Sequence, residues 1–392
     1  MRTVNRLVEV AYRCLAKHGE ELCGDAVRVK TAPGLLIVGL SDGLGSGVKA
    51  HILATLTATI AVDMLEKGET IDEVIDTLTD TLPECQVRRL AYATFTVLMV
   101  KNGTRAYLVE YDNPPLILIR NGQIIDLPAT ERETKGRKIR EAEFDLEEGD
   151  YMALVSDGYI HAGVGGLYRL GWGWKNVAIS VQRWAATGGD AHQLTNALAR
   201  TCLKLYHDQP GDDATAIGMK VREAVSATIL TGPPSRPEMD KQVVARFMAA
   251  PGMKVICGGT TAQVVARETG HQLHVDLHPI RQGPGGKKER IPPMARLEGV
   301  DLVTEGIITL SKASERLQAA ETVHDLPSDR DGATELARVL LKADDLHFLV
   351  GEAINPYQLA DVVRGKPMRQ VYLEELIREL EARGKAITVE RL

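Results

Sequence analysis

Residues Leu35 to Ala50 read LLIVGLSDGLGSGVKA, and three kinds of structure follow one another within them. Leu35 to Leu40 is a short apolar run, the pattern of a strand buried on both faces, and it stops at Ser41-Asp42-Gly43. The strand therefore carries a carboxylate to its tip. Glycines at 43, 45 and 47 let the backbone turn sharply there, and Gly43 has no side chain to keep its carbonyl from a ligand. From Val48 onward Ile52, Leu56, Ile60 and Met64 fall on one helical face. Strand, Asp-Gly turn and helix in succession suit a metal site or a phosphate loop. A Walker-type loop needs Gly-x-x-x-x-Gly-Lys-Ser/Thr, whereas Lys49 is followed by Ala50, which has no hydroxyl to offer magnesium. The metal reading gains because the motif returns: Tyr151 to Val155 is a second apolar strand running into Ser156-Asp157-Gly158.

At 392 residues the chain is too long for one ordinary core, so two domains are expected. Hydrophobic residues make up 44% and charged residues 26%, an ordinary soluble composition. With a net charge of −6 and a single short basic cluster at Lys287-Lys288-Glu289-Arg290, nucleic acid is not an expected partner. Cys14, Cys23, Cys85, Cys202 and Cys257 are scattered, with no Cys-x-x-Cys pair, which argues against a disulfide framework or thiolate metal site. The opening MRTVNRLVEVAYRCLAKHG lacks the apolar core of a signal peptide, and Ile52 to Val62 is short for a membrane span. These features give the expectation of a cytoplasmic protein without a membrane partner.

In chain order, residues 4 to 17 have apolar positions at helical spacing and read as an amphipathic helix. Cys23-Gly24-Asp25 leads into a strand through Val29, and a helix from Ile71 to Leu82 follows the central one. From Leu90 to Leu127 the period is two. Strands at Leu90 to Val100, Arg105 to Tyr111, Leu116 to Arg120 and Gln123 to Leu127 read as an antiparallel meander, with Asp112-Asn113-Pro114-Pro115 as a loop. Glu147-Glu148-Gly149-Asp150 turns into the strand that ends at Asp157. Gly163 to Gly173 reads as a loop, followed by helices near Trp174 to Ala186 and Ala191 to Tyr206. Gly211-Asp212-Asp213-Ala214-Thr215 then opens another strand. After residue 222 strands and helices alternate, which implies an open α/β domain over 223–392. The 281 to 294 stretch reads as a surface loop.

Asp25, Asp42, Asp157 and Asp212 all lie at strand boundaries. Without thiolate pairs or clustered histidines in this half, they describe an all-oxygen site for a hard cation, manganese or magnesium. Several carboxylates gathered closely repel one another unless cations sit among them, so a pair of metals is expected. Two metals about 3.5–4 Å apart can share a water, lower its pKa and aim it at phosphorus.

Cys23-Gly24-Asp25, Ser41-Asp42-Gly43-Leu44-Gly45-Ser46-Gly47, Val155-Ser156-Asp157-Gly158 and Gly211-Asp212-Asp213-Ala214-Thr215 resemble, in order, the motifs of the metal-dependent serine/threonine protein phosphatases, the PPM family. The branch they look like is the bacterial sporulation stage II E type. The resemblance covers 1–222 and implies an α+β fold, an α-β-β-α sandwich of two antiparallel sheets flanked by helices, to which 223–392 adds a regulatory or partner-binding domain. It further implies two divalent cations, Mn2+ or Mg2+, bridged by Asp42, with the Gly43 carbonyl, Asp25, Asp157 and Asp212 completing the coordination. Asp42, Asp157 and Asp212 would act through the metal-activated water, a bridging hydroxide displacing the seryl or threonyl oxygen of a phosphorylated regulatory protein. A homodimer, and a ligand or partner at the C-terminal domain, stay open.

Other readings compete with these. A single Asp-Gly is a common turn, and Asp213 could cap its own loop. His271, His274 and His278 cluster, but Leu273, Val275 and Leu277 alternate among them as in a strand, so zinc is not the preferred reading. His51 and His161 flank the two Asp-Gly turns and could face substrate or serve packing. Gly258-Gly259-Thr260-Thr261, between a strand and a helix, could hold an anion on backbone amides or be a tight connection. In function, the alternatives to a protein phosphatase are a catalytically inactive phosphatase-like scaffold or ligand sensor, and a phosphatase of small esters.

Overall fold

Alternation of apolar and polar residues makes strands of most of the N-terminal half, beginning with the first residues described. The computed structural model describes residues 6–32, 34–81, 93–134, 137–276, 292–328, 330–353, 362–363 and 366–392. Two units result, Met1–Glu223 and Ala224–Leu392.

The first unit opens with β1 (Arg6–Leu15), β2 (Asp25–Ala32) and β3 (Leu35–Gly43), then α1 (Gly47–Glu66) and α2 (Ile71–Thr81). Next come β4 (Ala93–Lys101), β5 (Arg105–Tyr111), β6 (Ile117–Arg120), β7 (Gln123–Ile125), β8 (Thr130–Thr134), β9 (Arg137–Asp145) and β10 (Tyr151–Val155). It closes with α3 (Asp157–His161), α4 (Trp174–Ala185), α5 (Ala191–Leu205) and β11 (Ala214–Glu223). Two antiparallel sheets form, in the orders β1-β11-β10-β6-β7 and β2-β3-β4-β5-β9-β8.

Successive side chains of a strand point to opposite faces, so each sheet buries two sets of residues. Val38, Leu40, Leu98 and Leu108 of one sheet meet Leu118, Met152, Leu154, Ile217 and Met219 of the other. Their neighbours turn outward: Ile37, Val97 and Val109 pack on Val62 of α1 and Ile75 of α2. On the far side Ala153, Val155 and Ala216 pack on Val177 of α4 and Leu198 of α5. The result is the expected α-β-β-α sandwich. By length and composition α1 is apolar enough to cross a membrane, contrary to the expectation that its apolar stretch is too short. Its Ala54 and Ala58 lie on Ala26 of β2, while Val48, Ile52 and Leu56 are exposed.

Two expectations fail here. Residues 4–17 do not form a helix where they are described. Val8 and Val10 share one side of β1 and pack into the inter-sheet core, and all ten residues of β1 pair with β11, from Arg6↔Glu223 to Leu15↔Ala214. A partner about two hundred residues away decides between two local patterns that both fit. The meander is also divided, since β4 and β5 belong to one sheet and β6 and β7 to the other. Asp112-Asn113-Pro114-Pro115 is the crossover, and buried Glu110 holds it by accepting from Leu116 N at 2.6 Å and Arg140 Nη1 at 2.8 Å. Leu82 and residues 90–92, included in the expected helix and strand, lie outside the described residues.

The second unit contains β12 (Ser226–Thr231), a 3-10 turn at Pro237–Met239, α6 (Asp240–Ala249), β13 (Met253–Cys257), α7 (Gly259–Thr269), β14 (His274–Val275), β15 (Ala295–Leu297) and β16 (Val300–Thr304). Then follow α8 (Ile307–Ala319), α9 (Gly332–Lys342), β17 (Asp345–Val350), β18 (Val362–Val363), β19 (Lys366–Pro367), α10 (Met368–Ala382) and β20 (Ala386–Arg391). Five parallel strands lie in the order β16-β13-β12-β17-β20, with β14 and β15 antiparallel at one edge. The unit is an α/β fold with α8, α9 and α10 on one face and α6 and α7 on the other. His271 lies 3.9 Å from Glu298 and His274 sits in the two-residue β14, while His278 and residues 281–291 lie outside the described residues.

Trp172, Trp174 and Trp184 are the only tryptophans and all belong to the first unit, so their fluorescence in urea follows that unit's unfolding. Leu98, fully buried between the sheets, tests the core. Leu98→Ala should destabilise the unit by about 2–5 kcal/mol in such a titration.

Candidate active site

The two sheets end together at one place. Antiparallel pairing sets Asp25, the first residue of β2, directly opposite Asp42 near the end of β3. In the other sheet β10 ends at Val155, opposite Ala216, so Asp157 and the Asp212-Asp213 pair lie at neighbouring strand ends. Ser156 ties the sheets together: its Oγ donates to Asp25 Oδ2 at 2.8 Å and accepts from Thr215 N at 2.8 Å. Lys17 N donates to Asp213 Oδ1 at 3.0 Å.

The glycines of the motifs have a reason that differs from the expected turn. Gly43 has an ordinary backbone conformation, and positive φ begins only at Gly45 and Gly47. A Cβ on Gly43 would run into the Ala50 carbonyl and come within 2.9 Å of Gly24 O. A Cβ on Gly158 would strike the Asp213 carbonyl, and one on Gly24 would lie 2.6 Å from Asp213 Oδ2. Each glycine beside an aspartate lets backbone and carboxylate approach more closely than a side chain allows.

All four expected aspartates, Asp25, Asp42, Asp157 and Asp212, are brought together, with Gly43 beside them. Asp25 and Asp213 are buried, whereas Asp42, Asp157 and Asp212 are half-buried. Burial first, then the charges of Asp25 and Asp157 and a hydrogen bond shared with Asp157, push the Asp42 carboxyl up to about 9. Burial also raises Asp25, to about 6, against the hydrogen bonds from Ser156 and Thr215. Asp212 is raised by burial and the Asp157 charge, with Lys17 offsetting part of it. Asp25, Asp42, Asp157 and Asp212 thus lie close enough to act on one another's charge, although among the described residues no three His, Cys, Asp or Glu side chains stand in a metal-holding arrangement.

A hard divalent cation fits this donor set. Every donor is an oxygen, and Asp25 Oδ1 and Asp213 Oδ2 are buried without a hydrogen-bond partner. Asp25, Asp42, Asp157 and Asp212 could hold it, with Asp213 beneath them. Sequence reading missed Ser156 as the link between sheets, and only its burial and partners reveal that role. It also treated Asp213 as secondary, while the structure buries it. His51 Nδ1 is hydrogen-bonded to Cys23 O at 2.8 Å, and His161 is exposed at the end of α3.

A carboxyl whose pKa is higher in the folded state than in the unfolded one costs stability once it ionises. That cost is complete above the folded pKa and vanishes as pH falls towards the unfolded value, about 3.9 for Asp. In chelator, therefore, the melting temperature of the first unit should rise as pH is lowered from 9 to 5, the window set by Asp42 and Asp25. Asp42→Asn should flatten the upper part of that slope, and thermal scans of the tryptophan signal check both.

The family described as stage II sporulation protein E (SpoIIE) matches residues 32–222, a span that includes Asp42, Asp157 and Asp212 but begins after Asp25. No curated protein sequence matches the chain. Among solved structures, the phosphatase domain of the cell fate determinant SpoIIE from Bacillus subtilis is 17% identical with a TM-score of 0.42, over 57% of this chain and 95% of that one. A second structure, the PP2C phosphatase domain with a fragment of the regulatory domain of SpoIIE from Bacillus subtilis, is 18% identical with a TM-score of 0.47, over 56% and 64%. The RsbU and RsbW domains of a Mycobacterium tuberculosis protein are 17% identical with a TM-score of 0.45, over 61% and 68%. Over residues 32–222, then, the N-terminal unit is a domain of the SpoIIE type of the PPM phosphatases.

Proposed function

We propose that the first unit hydrolyses phosphoserine or phosphothreonine in a regulatory protein and that Asp25, Asp42, Asp157 and Asp212 hold two divalent cations, Mn2+ or Mg2+, for the purpose. The observation that carries this reading is the gathering of these carboxylates at the joined sheet ends, with two buried carboxylate oxygens unpartnered. Bound there, the cations would supply an activated water and neutralise charge on the phosphoryl oxygens.

The chain's own residues supply rigidity and access. Ser156 fixes Asp25 by its Oδ2 and leaves Oδ1 to point elsewhere, the kind of outer hydrogen bond that orients a ligating carboxylate. Pairing of β2 with β3 sets Asp25 against Asp42, so neither can shift along its strand without breaking a ladder. Asp42, Asp157 and Asp212, being only half-buried, are the members a phosphoryl group can approach. Lys17 N anchors Asp213 below them.

Manganese-dependent release of phosphate from a phosphoserine peptide is the direct test. Asp42→Asn should abolish turnover while leaving the far-ultraviolet circular dichroism unchanged, and activity retained by that variant in chelator would refute the mechanism. Ser156→Ala should weaken manganese binding by about 10–100-fold in calorimetry, as loss of an orienting partner does.

A further inference from the structure

We infer that the second unit binds a small phosphate-bearing molecule at the carboxyl edge of its parallel sheet, on the Arg369 guanidinium, the Thr231 hydroxyl and the amides that open α7. Numbered along the chain, its five parallel strands lie in the order 3-2-1-4-5, which reverses direction between β12 and β17. Chain leaving β12 passes to α6 on one face, and β17 is reached from α8 and α9 on the other. In doubly wound sheets the carboxyl ends of the strands at such a reversal are where ligands bind. That geometry is general, so the case rests on what this chain puts there.

Thr231 is the last residue of β12, at the reversal itself, opposite Cys257 on one side and Val350 on the other. It is 0% exposed, and its Oγ1 has no hydrogen-bond partner. Among the described residues of this unit only one other buried side-chain atom shares that condition, Thr309 Oγ1. Thr309 lies in the first turn of α8, which starts just after β16 at the same edge. A buried hydroxyl left unpaired costs stability, and this edge carries two of them, Thr231 and Thr309.

Arg369, in the first turn of α10, brings a cation to the same place. Its Nη2 donates to Gly351 O at 2.6 Å, just beyond β17, and its guanidinium lies where a side chain on Gly232, just beyond β12, would otherwise be. Among the described residues no carboxylate pairs with it, and burial alone lowers its pKa. Glu352, next to Gly351, pairs with Arg391 at 3.5 Å instead. Among the described residues this one donation to a carbonyl leaves most of its five N–H donors for an oxyanion, which the planar fork fits.

The third donor group is the start of α7. Gly258 precedes it without any side-chain cap, so the first amides of the helix are open to an anion. The neighbouring α8 is different, because Glu305 accepts from Ile307 N at 3.2 Å and Ile308 N at 3.0 Å. Cys257, which leads into Gly258, is paired with Thr231. The edge thus carries amides, hydroxyl and guanidinium across adjacent strands, all of them donors, and phosphate oxygens are the matching acceptors.

The test is calorimetric titration of the full chain with pyrophosphate, with AMP and with succinate, in chelator so that the first unit contributes nothing through metal. Pyrophosphate or AMP should bind, and Arg369→Gln should weaken that binding by about tenfold or more. Thr231→Val should also weaken it, yet leave the melting temperature of the ligand-free chain unchanged or higher, because it removes an unsatisfied hydroxyl. Absence of heat with both phosphate probes, affinity indifferent to both substitutions, a fall in melting temperature in Thr231→Val, or binding of succinate alone would each overturn the assignment.

Discussion

Mutual repulsion among carboxylates is the constraint that the first unit is built to withstand. Asp25, Asp42, Asp157, Asp212 and Asp213 are gathered from β2, the end of β3, the start of α3 and the loop before β11, and each raises the cost of ionising its neighbours. Local interactions could not hold such a group. The sandwich does so because each aspartate sits at the end of a strand locked by ladder pairing and by an apolar core on both faces. Covering both faces of both sheets leaves the strand ends as the natural place for polar chemistry.

How much of this the sequence disclosed depended on how far apart the determining residues lie. Asp42 and Asp157 were legible because an apolar run stopping at Ser-Asp-Gly is a local signal. The reason for their glycines was not, since the collision that excludes a side chain at Gly43 comes from Ala50 and Gly24, and at Gly158 from Asp213. Ser156 stood in the motif, but its role as the link between the sheets was not legible, because its two partners are Asp25 and Thr215. β1 was misread for the same cause: Val4, Leu7, Val8 and Tyr12 satisfy a helical period, and only the pairing with β11 makes a strand of Arg6–Leu15. β8 and β9 escaped because ERET and RKIREAEFD are charged hairpin strands at an edge, with few apolar residues to betray the alternation.

In the second unit strand and helix alternation was readable, but the order of strands was not, because it is set by which neighbours pair. That order creates the edge at which Thr231, Gly232, Gly351 and Arg369 meet. The two units therefore differ at their strand ends: acidic groups crowd those of one, while Thr231 and Arg369 stand at those of the other.

The pairing of β1 with β11 also bears on how the protein comes into being. A nascent chain presents Arg6–Leu15 to the cell early, yet its hydrogen-bonding partner leaves the ribosome only after residue 223 has been joined. Until then the β1 segment, with Leu7, Val8 and Val10, has no sheet to enter, so the closure of this loop, the longest that a strand pairing makes among the described residues, comes late.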